Sequence, residues 1–302
     1  MDATSTGASA PAPARTGYAE SPLLRMTRGV YPLFATLAPG LASRAALRLF
    51  LTPRRHKTPA WERTHLESAR PATLKVGKRA FKAYAWGDGP RTIVMCHSWG
   101  GRGSQLGAFV PELTQRGFRV VAFDAPAHGA SEGRQTDMME YSSAVAAVVL
   151  HFGPVYGLLG HSFGAGNALF SWRRFRFPVD RVALVGCFSN AIWITERFGE
   201  LVGIPQKTIA AMRSRLERRH QGELQWESLV IGEMAREFPG PLMAVHDRDD
   251  AEIPYFHAER LLKASGRAAD CLLTTSGLGH RRIVRDAAVV KAVGGFFSGA
   301  VA

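Results

Sequence analysis

From Ala80 onward, short runs of apolar and β-branched residues alternate with longer segments of helical periodicity. The strand-like runs lie at residues 81–86, 92–96, 119–123, 155–159, 181–185, 242–245 and 271–275. Such alternation is typical of a mostly parallel sheet with helices packed on its faces. A chain of 302 residues, 46% of them apolar, is long enough to bury that sheet. The pattern therefore predicts an α/β fold.

Three segments depart from this alternation. Residues 1–22 are rich in Ala, Pro, Ser and Thr and carry almost no large apolar side chains, so we expect a disordered tail. Residues 23–78 predict an N-terminal helical segment. Residues 189–238 are helical and charged without any strand-like run, which predicts a helical cap insertion. The insertion would divide the α/β core into residues 79–188 and 239–302.

The apolar stretch at residues 30–51 is the only candidate for a membrane span. Pro32, Pro39 and Gly40 interrupt it, whereas a span needs roughly 20 uninterrupted apolar residues. Two short helices fit better. Basic residues precede the stretch, as they do in a signal peptide, but such a peptide normally lies near the first residue. We therefore expect a cytoplasmic protein.

The chain carries a large excess of basic residues, with 38 Lys and Arg against 25 Asp and Glu and a net charge of +13. Basic clusters at residues 54–57, 173–176 and 213–220 favour acidic partners at long range. They lie in no recognisable nucleic-acid-binding motif, which predicts a solvated basic surface and no nucleic-acid partner. For residues 213–220 a solvated helix face is preferred over a substrate anchor. A weak, salt-sensitive contact of residues 30–57 with an anionic membrane is a further hypothesis.

The run at residues 155–159 leads directly into the motif Gly-His-Ser-Phe-Gly at residues 160–164, and a helical pattern follows. A nucleophilic serine needs its hydroxyl projected from a sharp turn between strand and helix, and the flanking glycines make room for the crowded backbone. Ser162 is therefore the candidate nucleophile. A glycine turn without catalytic function is the alternative for the motif alone.

Two further loops follow earlier strands. Residues 97–101 (His-Ser-Trp-Gly-Gly) come after the strand ending at Cys96, and the amides of Trp99 and Phe163 would form a two-donor oxyanion hole. Residues 124–131 (Asp-Ala-Pro-Ala-His-Gly-Ala-Ser) follow the next strand. Together with residues 160–164, these loops resemble three successive signature loops of the α/β-hydrolase superfamily. The resemblance covers roughly residues 80–297 and implies the α/β-hydrolase fold.

The resemblance implies an acid and then a histidine after the serine. Asp250 lies four residues before Pro254, as the family acid does, while Asp247 and Asp249 would take its place under a shifted alignment. His280, after the last strand, matches the family base. His97, His128 and His161 fill positions that the family uses for loop packing or hydrogen bonding. Ser98 departs from the family, which usually has glycine there; if a positive φ is needed, serine is strained, and otherwise its hydroxyl is an extra donor.

The implied chemistry is acyl transfer by a Ser162–His280–Asp250 triad, with hydrolysis of a small-molecule carboxylic ester or thioester and neither cofactor nor metal. The three cysteines have no disulfide or metal-site spacing. Acyl transfer to another acceptor, cofactor-free perhydrolysis and non-catalytic ligand binding are the alternatives. Apolar cap residues would either line an acyl pocket or pack the cap; they are Ile192, Trp193, Ile194, Phe198, Leu201 and Val202. The substrate and the oligomeric state stay open.

Overall fold

The computed structural model describes residues 22–299, whose centre is one eight-stranded sheet. The strands are β1 (Arg70–Val76), β2 (Arg79–Trp86), β3 (Arg91–Cys96), β4 (Phe118–Asp124), β5 (Val155–His161), β6 (Arg181–Val185), β7 (Leu242–Asp247) and β8 (Leu272–Thr275). Their order is β1-β2-β4-β3-β5-β6-β7-β8. β2 pairs antiparallel with β1 and β4, and all other neighbours are parallel. The mostly parallel sheet predicted from the sequence is confirmed.

Helices cover both faces of the sheet. They are α1 (Pro22–Leu37), α2 (Pro39–Phe50), α3 (Ala60–Glu67), α4 (Phe109–Gln115), α5 (Met138–Phe152), α6 (Phe163–Phe175), α7 (Ala191–Val202), α8 (Gln206–Arg219), α9 (Ile231–Glu237), α10 (Phe256–Ser265), α11 (Gly279–Arg282) and α12 (Ala287–Ser298). Alternate residues of β3 belong to two separate core clusters, Val94 to one and Ile93 and Met95 to the other. The central strands are thus buried on both faces, which explains their continuous apolar runs.

The boundary predicted between residues 78 and 79 is wrong, because β1 lies inside the predicted helical segment. It forms a hairpin with β2, and Gly77 takes the positive φ of 54° that this tight turn requires. Only Leu74 of this strand is buried. An edge strand that buries one side chain shows no apolar run in the sequence.

The predicted disordered tail lies outside the described residues, except for Pro22, the first residue of α1. Residues 30–51 contain parts of two helices, α1 and α2, as predicted. Among the helices of residues 22–299, none combines the length and the hydropathy that a membrane span requires.

The predicted cap, residues 189–238, contains α7, α8 and α9 and no strand. Its first two helices are covered by α1 and α2, and an apolar cluster joins the four. The cluster's buried members are Tyr31, Ala42, Ala46, Val202, Ile204, Ile209 and Met212. Arg28 donates from Nε to the Leu201 carbonyl at 2.9 Å. The N-terminal helices and the predicted cap insertion therefore pack together through one apolar cluster.

Truncation tests this docking. Deleting residues 2–20 is expected to leave the melting temperature unchanged, because their composition offers no core residues. Deleting residues 2–55 removes the buried Tyr31, Ala46 and Leu51 and exposes the cap residues they cover. We expect the melting temperature to fall by on the order of 10 °C. Differential scanning calorimetry of both truncated proteins checks this, and equal melting temperatures would refute the docking.

Candidate active site

Ser162 occupies the sharp turn between β5 and α6. Its backbone has φ 56° and ψ −119°, a region that non-glycine residues rarely adopt. The Ser162 amide donates to the Val185 carbonyl at 2.8 Å, and its carbonyl accepts from the Ala165 amide at 3.0 Å. These bonds hold the strained residue in place, with its side chain only half-buried.

The two glycines beside Ser162 are required by close backbone approach. A Cβ at residue 160 would lie 2.4 Å from Ala165 Cα, and one at residue 164 would lie 2.1 Å from the Cys96 carbonyl oxygen. Gly160 thus lets α6 fold back against β5, and Gly164 lets it approach the end of β3. The motif has the mechanical basis expected from the sequence.

Asp250 and His280 lie in direct contact. His280 Nδ1 donates to Asp250 Oδ2 at 2.7 Å, and Asp250 Oδ1 accepts from the amides of Glu252 and Ile253 at 2.9 and 2.8 Å. Burial alone would raise the pKa of Asp250, but the bond from His280 and these amide bonds outweigh it, so the pKa lies below its ordinary value. The carboxylate is therefore charged at neutral pH and fixes the histidine ring.

The other two aspartates of this loop have different partners. Asp247 accepts from the amides of Asp249, Leu278 and Gly279 and from the Thr275 hydroxyl. Asp249 is exposed and accepts from the Gly277 amide at 2.7 Å. Both brace the chain that leads to His280, and neither is bonded to its ring. The geometry agrees with the alignment that selects Asp250.

His161 holds His280 beside the serine turn. Its Nε2 donates to the His280 carbonyl at 2.9 Å, since a carbonyl oxygen can only accept, and the two ring centroids lie 4.8 Å apart. Burial and the neighbouring His280 lower the pKa of His161 to about 3, so this ring is neutral. This hydrogen bond connects the end of β5 to the loop that carries His280.

The other two loop histidines are also held by backbone bonds. His97 Nδ1 donates to the Ser98 carbonyl at 2.8 Å, and its Nε2 accepts from the Ala125 amide at 3.0 Å. His128 Nδ1 donates to the Pro126 carbonyl at 3.0 Å. Burial lowers the pKa of His128 to about 4. These contacts agree with the structural roles predicted for His97 and His128.

The loop at residues 97–101 packs against the start of α6. The Trp99 ring meets the Phe163 ring edge-on at a centroid distance of 5.0 Å, and both side chains are half-buried. The Phe163 amide opens α6, where N–H groups have no acceptor within the helix. The structure thus brings the two predicted oxyanion donors to the same end of the sheet as Ser162.

The strain considered for Ser98 is absent. Among the described residues the non-glycine positive φ angles belong to Ala127, Ser162, Arg176 and Gln221, and in this loop Gly100 takes a φ of 70°. The Ser98 hydroxyl donates to Gln105 Oε1 at 3.3 Å. The left-handed backbone conformation in this loop is therefore taken by Gly100, two positions after Ser98. The Ser98 hydroxyl is bonded to Gln105.

A buried ion pair that the sequence patterns did not predict includes Arg102, which lies directly after this loop in the chain. Arg102 Nε lies 2.5 Å from Glu62 Oε2 and Arg102 Nη2 lies 3.0 Å from Oε1, with both side chains almost fully buried. Glu62 Oε2 also accepts from the Ser104 hydroxyl, and Arg102 donates to the His56 carbonyl. The pair ties α3 to the residues that follow the predicted oxyanion loop.

Removing one partner of this pair should be costly. Glu62→Ala leaves the Arg102 guanidinium buried without its carboxylate, and we expect the free energy of unfolding to fall by about 3–5 kcal/mol. Glu112→Ala breaks the partly exposed Arg116–Glu112 pair and should cost less than about 1 kcal/mol. Urea denaturation of both variants compares them, and similar losses would contradict the assigned role of Glu62.

The apolar cap residues have two environments. Phe198 packs on Phe50 at a centroid distance of 5.2 Å, and Val202 belongs to the cluster that binds the N-terminal helices. Residues 192–194 pack against the main core and stay partly accessible. Phe50 in turn stacks on Trp99 at 6.5 Å. Phe50 therefore contacts both the predicted cap, at Phe198, and the predicted oxyanion loop, at Trp99. No local sequence motif predicts this pair of contacts.

Within residues 22–299 no cluster of three or more His, Cys, Asp or Glu side chains is arranged to hold a metal ion. Cys96, Cys187 and Cys271 are free thiols. Burial raises the pKa of the first two. Neither cysteine is therefore a thiolate nucleophile competing with Ser162.

Comparisons with known proteins agree with this architecture. The model of the alpha/beta hydrolase family matches residues 93–292. A non-heme haloperoxidase of Rhodococcus erythropolis is 34% identical over 134 residues, which are 42% of this chain and 47% of the relative, so the chain spans about half the length of that relative.

Two solved structures share the fold at low identity. An esterase of Pyrococcus furiosus has a TM-score of 0.59 at 15% identity, covering 82% of this chain and 95% of its own. The thioesterase domain from the curacin biosynthetic pathway has a TM-score of 0.55 at 16% identity, covering 76% and 99%. At this identity the likeness concerns the fold alone.

Proposed function

Because the chain belongs to the alpha/beta hydrolase family, we propose that it is a serine hydrolase that cleaves a carboxylic ester or thioester through an acyl-enzyme intermediate. The observation that carries the proposal is the 2.7 Å bond between His280 Nδ1 and the buried Asp250, beside a strained serine turn. Backbone strain at a single residue, maintained by hydrogen bonds from the surrounding structure, is typical of functional sites.

The bond between Asp250 and His280 determines which nitrogen of the His280 ring exchanges protons with the serine. Asp250 accepts a hydrogen bond from His280 Nδ1–H, which keeps the proton on Nδ1, so Nε2 carries the lone pair and takes the proton from the Ser162 hydroxyl. Ser162 Oγ then forms a bond to the acyl carbon, and the carbonyl π electrons move onto oxygen. When the tetrahedral intermediate collapses, the bond to the alcohol or thiol breaks, and His280 returns the proton to the leaving group.

The oxyanion of each tetrahedral intermediate would be held by the amides of Trp99 and Phe163. The Phe163 amide adds the partial positive charge of the α6 N-terminus to its own hydrogen bond. A water molecule gives a proton to His280 Nε2 and forms a bond to the acyl carbon of the acyl-enzyme. When this second intermediate collapses, the bond to Ser162 Oγ breaks, His280 returns the proton to that oxygen and the acid is released. The residues supply every proton transfer, so the proposed cycle requires no cofactor.

Perhydrolysis is a second candidate, favoured by the similarity to the haloperoxidase. In that reaction hydrogen peroxide replaces water as the attacking nucleophile, and the acyl-enzyme is released as a peracid. Acyl transfer to another acceptor uses the same intermediate. A non-catalytic ligand-binding protein would need neither the strained serine nor the acid–histidine bond.

The substrate class is tested with p-nitrophenyl esters and acyl thioesters of graded chain length. We expect turnover of at least one series and labelling by a fluorophosphonate probe. Peracid formation from acetate and hydrogen peroxide, followed by halogenation of an indicator, measures the second candidate. A folded protein that is neither labelled nor active on any of these substrates would contradict the proposal and favour ligand binding.

A further inference from the structure

The outward face of α1 and α2 is apolar, although these helices are already docked by their other face. Large apolar side chains there are 43% to 74% exposed; they are Met26, Val30, Leu33, Leu37, Leu41 and Leu49. Within the described residues only Leu150, Phe175 and Phe256 are comparable elsewhere. A docked surface helix normally turns polar residues to solvent. This face therefore has the composition of a surface that meets a second apolar phase.

The inward face of α1 and α2 is packed against the protein, so these helices are docked in a fixed orientation. Tyr31 is buried and donates from its hydroxyl to the Ala42 carbonyl at 2.7 Å, and it belongs to the cluster that joins α1 and α2 to the cap. Residues 1–21 contain no Val, Ile, Leu, Phe or Trp with which to cover the outward face. The exposed stripe is thus held outward by a packed interface.

Basic charge surrounds the stripe. Between residues 21 and 61 there is no Asp or Glu, and the seven Lys and Arg residues are Arg25, Arg28, Arg44, Arg48, Arg54, Arg55 and Lys57. On α2 the exposed Arg44 and Arg48 share one helix face with the exposed leucines, at positions 41, 44, 48 and 49. Apolar side chains flanked by arginine are typical of helices that lie in the interface of an anionic bilayer.

Arginines also line a cavity of about 380 Å³ between α2 and α8. Its lining includes five arginines, namely Arg44, Arg48, Arg215, Arg218 and Arg219. None of the five forms an ion pair with a carboxylate in the described part of the chain. The nearby carboxylates are bonded to other groups: Asp137 to His220, Glu223 to Arg174 and Glu217, on α8 itself, to the Trp226 amide. Asp137 attracts Arg219 without forming an ion pair with it, so the five guanidiniums around the cavity keep an excess of positive charge that attracts a phosphate group.

We propose that α1, α2 and the arginine cavity form a docking surface for an anionic phospholipid bilayer, in which the apolar stripe enters the interface and the arginines bind lipid phosphates. Charge decides between this partner and a second copy of the chain. A two-fold interface would place the same arginine-rich, acid-free segment against itself, and like charges would oppose association. A bilayer of anionic lipid supplies both the apolar phase and the opposite charge.

Vesicle flotation of the full chain tests the proposal, with vesicles of phosphatidylcholine alone and vesicles in which about one third is phosphatidylglycerol. We expect binding to the anionic vesicles, a strong decrease at high salt and little binding to the neutral ones. Equal binding to both vesicle types, or none to either, would overturn the proposal.

Matched variants separate the two components of the surface. Leu37→Ser should weaken binding by about tenfold, whereas Leu150→Ser, at the 89% exposed Leu150 on α5, should not. Arg44→Gln with Arg48→Gln should weaken it by about tenfold or more, whereas Arg236→Gln with Lys291→Gln removes the same charge elsewhere and should have little effect. If the control variants lost vesicle binding to the same extent, binding would depend only on the net charge of the protein, and the assigned surface would be wrong.

Two further measurements address other occupants. Sedimentation without lipid should give the same mass for the wild type and for Leu37→Ser. A dimer that Leu37→Ser dissociates would mean that the stripe is a protein interface. Inorganic pyrophosphate should compete only weakly with vesicles, because it lacks the apolar phase. Tight pyrophosphate binding together with vesicle binding that ignores Leu37→Ser would assign the cavity to a soluble phosphate ligand and overturn the bilayer proposal.

Discussion

Ser162→Ala is expected to abolish fluorophosphonate labelling and to lower kcat for ester hydrolysis by on the order of 10⁶-fold, the size of the loss when a triad nucleophile is removed. The hydroxyl forms the covalent bond in the proposed mechanism, and no other described nucleophile occupies the turn between β5 and α6. Labelling followed by peptide mass spectrometry identifies the modified residue.

The fold should survive this substitution. Ser162 makes no side-chain cap bond to the helix it precedes, and the bonds that hold it, to the Val185 carbonyl and from the Ala165 amide, use its backbone atoms. Alanine meets the positive φ with much the same steric cost as serine. Ser98→Ala is a matched control, because that hydroxyl bonds to Gln105 in the adjoining loop. Full labelling and turnover of the Ser162→Ala protein would show that the nucleophile is another residue.

The sheet was predictable where strands are buried on both faces. β3, β4 and β5 carry continuous apolar runs because helices cover both sides of the sheet, and their bounds differ from the predicted runs by at most two residues. β1 was not predictable in this way, since its edge position leaves charged and polar side chains exposed. Its hairpin with β2 depends on a turn at Gly77 rather than on an apolar pattern.

The candidate site likewise contains some features that a local sequence pattern predicts and others that it does not. The turn at Ser162 and the loop at Trp99 follow local rules of strand, tight turn and helix, so short motifs suffice to find them. The Glu62–Arg102 pair joins residues 40 positions apart, and the contact between Phe50 and Trp99 joins the N-terminal helices to the same loop. Neither contact has a local signature, because each depends on how separate elements pack.

The three aspartates at the end of β7 and in the loop that follows it illustrate what geometry adds to an alignment. Spacing to Pro254 favours Asp250, but the residue types at positions 247, 249 and 250 are identical. In the structure the bonds of Asp247 are directed to Thr275 and to backbone amides, and that of Asp249 to the Gly277 amide. The Asp250 carboxylate alone among the three is bonded to the His280 ring. The three positions therefore make separate predictions.

Asp250→Asn should lower kcat by on the order of 10⁴-fold while largely preserving shape. An amide at this position can donate to His280 Nδ1, which would favour the tautomer that places the proton on Nε2, where it blocks proton transfer from Ser162. Asp249→Asn should lose far less, because its carboxylate is exposed and only one amide depends on it. Asp247→Asn should act mainly on stability, since its carboxylate accepts bonds from four donors around the loop of His280. Measuring kcat and urea unfolding for the three variants separates these effects. A larger loss of kcat in folded Asp247→Asn or Asp249→Asn than in Asp250→Asn would transfer the role of the acid to that residue.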